Sequence, residues 1–295
     1  MPEIDLDNQR LHYQTFGAGS PLVLIHGLGS SGEDWAFQIE PLARRHLLIV
    51  PDLPGSGRSP APGGRYGIEG FADALWRLLD ALGLHEANLL GFSLGGAVAL
   101  EMALQRPDAV LRVMTINSLP SYRQDSWRKR YAVYGQMTMM RLLGPARLST
   151  KVAQRLFPQP HQAPLRARVI EVLARVPRRP YLASAFALAR WCALDRLHRL
   201  RAPLLMLAGE HDYTPLTEKQ AYAKRLGAQF AVVRGSRHGT PFDSIAACNA
   251  CAVAFFDGQP LPAAEALLID PPERVPDTAP DLAALADRRQ DQPAA

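Results

Sequence analysis

The stretch LLGFSLGGAVAL, residues 89–100, sets Ser93 between Gly91 and Gly95 at the point where an apolar strand-like run passes into a helix-like one. The pattern G-x-S-x-G at a strand-to-helix junction has a steric cause. A serine on so tight a bend takes an uncommon backbone conformation, and the positions two before and two after it approach so closely that a side chain at either would clash. The bend lifts the Ser93 hydroxyl above the sheet. It also leaves the N–H of Leu94 at a helix N-terminus, where it can stabilise a developing oxyanion.

Outward from this bend, short β-rich apolar runs alternate with helical segments: PLVLIHG and HLLIVPD before it, VLRVMTIN, PLLMLAG and QFAVVRG after it. Between them lie amphipathic stretches such as IEGFADALWRLLDALG, which stops at Gly83 as a helix should. Strand alternating with helix predicts an α/β chain with a parallel sheet covered on both faces. The opening IDL and LHYQTF flank DNQ and predict a hairpin. Residues 121–199 break the rhythm, with no convincing strand, methionines at 137, 139 and 140, and proline breaks at PQPHQAP and VPRRP. The expected division is a core of 1–120 and 200–258, a helical cap over 121–199, and a Pro/Ala-rich tail over 259–295, extended or disordered.

A serine hydroxyl is a weak nucleophile without a base to take its proton and a group to orient that base. Of eight histidines, His238 in VVRGSRHGTPF follows the last predicted strand in a loop, where its ring can project over the sheet edge. His26 ends a strand and reads as a brace for its loop, whereas His12, His46, His85, His161 and His198 lack a motif and read as surface or cap residues. Asp212 stands just past PLLMLAG, at a suitable height for reaching His238. His211 beside it points the other way along an extended segment. Asp52 is the rival carboxylate, but DLPGSG reads more simply as a carboxylate capping the turns that follow. Asn117, after VLRVMTIN, supplies no charge. The catalytic order is therefore Ser93, Asp212, His238.

Competing motifs are weaker. Gly27, Gly29 and Gly32 satisfy G-x-G-x-x-G after a strand, with Asp52 about twenty residues on, the parts of a dinucleotide fingerprint. His26 has no role in that reading, and Pro41 interrupts the phosphate helix early. PGSGRS, residues 54–59, lacks the lysine of a P-loop. The CNAC pair, Cys248 and Cys251, falls within DSIAACNACAVAFF, where Ile245, Cys248, Ala252 and Phe255 recur at helical spacing. No cofactor and no metal is expected.

The chain has 295 residues, 47% of them hydrophobic, enough to bury a full core. No apolar run approaches the roughly 20 residues of a membrane span, and MPEIDLDNQR lacks a secretory pattern, so a cytoplasmic location is expected. The net charge of +5 hides an asymmetry: residues 121–202 hold 17 Lys+Arg against 3 Asp+Glu, or +14, leaving 16 against 25, or −9, elsewhere. SWRKRYAVY interleaves arginines with aromatics, but no nucleic-acid motif accompanies it, and nucleic acid is not an expected partner.

HGLG, DLPGSGRS, GFSLGG, GEHD and RHG occur in this order over roughly residues 20–256, and in this the chain resembles the α/β-hydrolase superfamily. The resemblance implies a mostly parallel eight-stranded sheet with helices on both faces, a cap inserted after the sixth strand, and a Ser93–His238–Asp212 triad. It also implies a second oxyanion donor, the backbone N–H of Leu28, which removes the dinucleotide reading. With serine at the nucleophile position, the expected activity is that of a carboxylesterase-type serine hydrolase acting on a (thio)ester through an acyl-serine. A carbon–carbon bond hydrolase, a lactonase or a cofactor-free acyltransferase would keep the same triad, and a ligand-sensing relative would use it for binding with slow turnover. RHGTPF is similar to the histidine segment of esterases that cleave acyl-carrier-protein methyl esters, a subgroup that docks its acidic partner on cap arginines. The basic cap is accordingly either a solvated surface or a docking face for acyl carrier protein, acyl-CoA or anionic lipid. Candidate lining for the substrate pocket is Trp35, Phe92, Tyr134, Met137, Met140, Phe186 and Trp191, with cap core the alternative for those in the insertion.

Overall fold

The computed structural model describes residues 3–6, 9–62, 66–123, 127–276, 278 and 280–287. Strands β1 (Glu3–Leu6) and β2 (Gln9–Phe16) form the opening hairpin, followed by β3 (Ser20–Ile25), helix α1 (Ile39–Ala43), β4 (His46–Pro51), α2 (Ile68–Ala81), β5 (Ala87–Phe92), α3 (Leu94–Gln105) and β6 (Val110–Ile116). Three helices then intervene, α4 (Trp127–Leu156), α5 (Ala163–Ala174) and α6 (Arg178–Arg190), before β7 (Leu204–Gly209), α7 (Leu216–Leu226), β8 (Gln229–Val233), α8 (Thr240–Asp243), α9 (Ile245–Phe256) and α10 (Leu282–Asp287).

The strands make one eight-stranded sheet in the order β1-β2-β4-β3-β5-β6-β7-β8. β1 and β2 pair antiparallel, as do β2 and β4, and every pairing from β4 through to β8 is parallel. Side-chain alternation explains why both faces are covered. Val23, Ile25, Leu89, Val113 and Met206 pack under α2 and α3 on one face, while Leu22, Leu24, Leu90, Met114 and Leu207 pack under α1 and α9 on the other. Cys248 and Cys251 are buried on α9 as part of that second layer, and burial pushes both thiols up, Cys251 to about 11.

The tail does more than its composition suggests. The Arg234 N–H donates to Leu267 O at 3.0 Å and the Ile269 N–H to Arg234 O at 2.9 Å, extending the edge beyond β8. Leu267 and Leu282 are buried, and Asp270 accepts the Ile245 N–H at 2.5 Å, capping α9. Residues 259–276 are therefore largely irregular but anchored, and 288–295 lie outside the described residues. Two histidines differ from expectation: His12 and His46 are both buried in the core, His12 within the β2 pairing and His46 at the start of β4.

Candidate active site

Ser93 sits between the last residue of β5 and the first of α3, at φ 54° and ψ −114°. A non-glycine residue at positive φ costs on the order of 1–3 kcal/mol and persists only where its surroundings enforce it. They do so here through close backbone approach: a Cβ on Gly91 would run into the Gly95 carbonyl, and one on Gly95 into the carbonyls of Ile25 and His26. The same approach sets the HGLG loop against the start of α3. His26 braces that loop, its Nδ1–H donating to Gly27 O at 2.8 Å and its Nε2 accepting the Leu53 N–H at 3.0 Å. Asp52 accepts the Arg58 N–H at 2.8 Å, capping the turns of its own loop, and the Gly32 N–H at 2.7 Å, which ties that loop to the one after β3.

Three side chains distant in sequence converge over the carboxyl edge of the sheet. The Ser93 hydroxyl lies 2.9 Å from His238 Nε2, and His238 Nδ1 lies 2.5 Å from Asp212 Oδ1. Asp212 stands in the loop after β7 and His238 in the loop after β8. Asn117, at the end of β6, joins these loops: its amide donates to the carbonyls of Arg237 and His238 at 3.1 and 2.8 Å and to Thr240 Oγ1 at 2.8 Å, and its Oδ1 accepts the Gly209 N–H at 2.8 Å.

Burial alone would raise the Asp212 carboxyl, but the charge and hydrogen bond of His238 and the ammonium of Lys219 outweigh it and hold the group well below the usual carboxylate range. Asp212 Oδ2 binds Lys219 Nζ and accepts the Thr214 hydroxyl at 2.8 Å. Burial pushes the Lys219 ammonium down, and Asp212 beside it opposes that shift. Tyr213 stacks on the His238 ring, with centroids 4.3 Å apart and planes at 20°, and the Arg155 guanidinium of α4 lies 4.3 Å from the Tyr213 ring centroid. No sequence pattern points to Lys219, Tyr213, Thr214 or the connecting role of Asn117. Tyr213 and Thr214 follow Asp212 directly, but Lys219 is one charged residue on an amphipathic helix and carries no motif.

Above Ser93 lies a cavity of about 630 Å³. Its walls are Leu28 and Ser30 from the HGLG loop, Phe92, Tyr213 and Phe242 from the core, and Val152, Leu156, Leu165, Val169, Leu173 and Leu188 from the intervening helices. Asp34 also reaches the wall, its carboxyl pushed up by burial, with Ser30 as a hydrogen-bond partner.

Of the candidate lining, Phe92 and Met137 are in the wall. The other five are elsewhere. Trp35 is wholly buried against the sheet because it enters a short turn facing α1 and β4. Met140 packs with Leu148, Leu173 and Tyr181 inside the inserted helices. Tyr134 and Phe186 are 51% and 46% exposed and face each other across α4 and α6, with centroids 6.4 Å apart. Trp191 is buried at the return to the core, its indole N–H donating to Glu101 Oε2 at 2.8 Å. Leu28 is in the cavity wall, and Leu94 opens α3, so its N–H belongs to the first turn, which has no intrahelical acceptor.

An eight-stranded sheet of this order, with a serine on a strained strand–helix bend and an Asp–His pair over the same edge, is the architecture of an α/β hydrolase. Residues 20–244 match the family model described as alpha/beta hydrolase fold, and the chain belongs to that family. Among relatives, the putative carbamate hydrolase RutD of Caulobacter vibrioides is 31% identical over 263 residues, covering 84% of this chain and 96% of that protein. The protein of the same name from Azorhizobium caulinodans is 37% identical over 117 residues, and there the match spans only 40% of this chain and 44% of that protein. A thermophilic esterase structure from Thermogutta terrifontis superposes with a TM-score of 0.76 at 26% identity, covering 85% of this chain and 94% of that one.

Proposed function

We propose that the chain is a serine hydrolase that cleaves a carboxylic ester or thioester through an acyl-Ser93 intermediate. The observation that carries the reading is the single imidazole of His238 bridging Ser93 Oγ and Asp212 Oδ1. In the first half-reaction Ser93 Oγ bonds to the substrate carbonyl carbon as His238 Nε2 takes its proton. The N–H groups of Leu28 and Leu94 receive the carbonyl oxygen as it gains charge. Losing one such donor typically costs about 3 kcal/mol of barrier. The bond to the leaving group then breaks as His238 returns the proton to it. Water repeats the sequence on the acyl-enzyme, losing a proton to His238 and releasing the acid and free Ser93.

The mostly apolar walls favour a hydrocarbon-rich acyl group over a small polar one. The esterase and carbamate hydrolase names of the relatives support carbonyl hydrolysis and differ in what leaves. The +14 charge of residues 121–202 supports an anionic carrier of the acyl group, acyl carrier protein or acyl-CoA, approaching by long-range attraction.

A fluorophosphonate probe should modify Ser93, identified by peptide mapping, and Ser93→Ala should abolish both labelling and ester turnover, the latter by on the order of a millionfold, while the variant stays folded. Substantial ester hydrolysis by folded Ser93→Ala would refute the assignment. Comparing a short uncharged ester with its carrier-linked form tests the cap: the carrier-linked form should be favoured at low salt and lose that advantage as salt rises.

A further inference from the structure

Lys219 is a buried charge that the acylation scheme leaves without a task. Its side chain is 1% exposed, and that of its partner Asp212 is 0% exposed. Taking an ammonium out of water costs several kcal/mol, so a buried lysine needs a matching charge. Lys219 Nζ finds it at Asp212 Oδ2, the oxygen turned away from His238, and reaches Asn117 Oδ1 at 3.2 Å. Asp212 therefore already faces one cation before His238 takes the Ser93 proton, and faces two afterwards. A carboxylate shared in this way offers the imidazole less negative potential than one paired with the ring alone.

We infer that Lys219 is a positioning residue that, through Asp212, sets the pH above which His238 activates Ser93; the inference rests on the triad reading above. Two effects run through the same carboxylate. With Thr214, Lys219 fixes Oδ2 and so keeps Oδ1 aimed at Nδ1. Its charge also opposes the build-up of positive charge on the ring. Removing that charge lets the ring hold a proton to higher pH, so the acid limb of Ser93 reactivity moves up. Arg155 faces His238 across Tyr213, Arg237 adjoins it on its own loop, and Asp34, Arg168 and Glu218 stand in the cavity wall. All of these are unchanged in the variants that follow.

The rate of fluorophosphonate modification of Ser93, followed against pH, requires no knowledge of the natural substrate. Wild type is compared with Lys219→Met, which keeps the volume without the charge, and Lys219→Gln, which keeps a donor for Asp212. In both variants the acid limb is expected to rise by about one pH unit, so that labelling below the wild-type limb falls about tenfold; the high-pH plateau falls further in Lys219→Met, which leaves Oδ2 without this donor, than in Lys219→Gln, which keeps one. A limb that does not move in folded variants, or a uniform loss at every pH, assigns Lys219 to packing alone and overturns the inference. Failure of both variants to fold does the same. A wild-type protein that is not labelled at Ser93 refutes the triad reading itself, and this inference with it.

Discussion

Ser93 and Asn117 are the two described non-glycine residues at positive φ, 54° and 49°, and they end adjacent strands, β5 and β6. The first strain belongs to the bend under the hydroxyl, and the second to the joint that holds the His238 loop. Ser93, Asp212 and His238 are legible in sequence because each follows a strand-like run in a recognisable loop. Asn117 lacks the charge of an orienting carboxylate, yet what the site uses is its amide, two donors and an acceptor that no carboxylate could replace. Asn117→Ala leaves the Gly209 N–H and the carbonyls of Arg237 and His238 without this partner, and also forces alanine into a left-handed conformation. Urea unfolding should show a loss of about 3 kcal/mol or more, with slower Ser93 labelling as the His238 loop loosens. A loss below about 1 kcal/mol would show that the loop is held by other contacts.

At the scale of elements, the core strands are legible because each is an apolar run of about the right length between turn signals, and the parallel order follows from their alternation with helices. The inserted helices are legible only as an absence of strands. Their apolar residues face both the cavity and one another, so periodicity does not show which of Tyr134, Met137, Met140 and Phe186 points inward. Composition misleads in the tail for a related reason: a few contacts, the backbone bonds to Arg234, the buried Leu267 and Leu282 and the Asp270 cap, anchor a proline-rich segment. The bend inside α4 is the device that aims the insertion. Gly144 lies at φ 77° and ψ 178°, just before Pro145, and the half-helix beyond carries Val152, Arg155 and Leu156 to the cavity. That backbone region is essentially closed to side chains, so Gly144→Ala should cost about 1–3 kcal/mol. If the kink sets the cavity wall, KM for an apolar ester should rise several-fold while kcat stays within about twofold, because Ser93, Asp212 and His238 are carried by other elements. Equal losses in kcat and kcat/KM would mean that the cap acts on the chemical step instead.

Across the whole molecule, buried carboxyls pull stability in opposite directions with pH. Asp212 is held below its usual range, so its contribution is present above about pH 4 and is lost as pH falls through the lower folded value. Asp243 has the reverse sign: burial pushes it up to about 6, so the folded state binds its proton more tightly than the unfolded chain does. Stability from that group is full below about pH 4 and is lost as pH rises through about 6. The raised carboxyls of Asp34 and Asp270 act in the same sense as Asp243. Burial outweighs local bonding at Asp243: the hydroxyls of Ser236 at 2.7 Å and Ser244 at 2.8 Å donate to Oδ1 and favour the carboxylate, but Oδ2 is buried without a hydrogen-bond partner among the described residues. Asp243→Asn replaces the titrating group by a permanently neutral one of the same shape. Between pH 5 and pH 7.5 the unfolding free energy should therefore fall less in the variant than in wild type, by about 1.4 kcal/mol. The two proteins would instead lose stability in parallel if Asp243 were ionised in the folded state throughout, and that result would leave the buried, unpartnered Oδ2 to be explained by a group that binds it in solution.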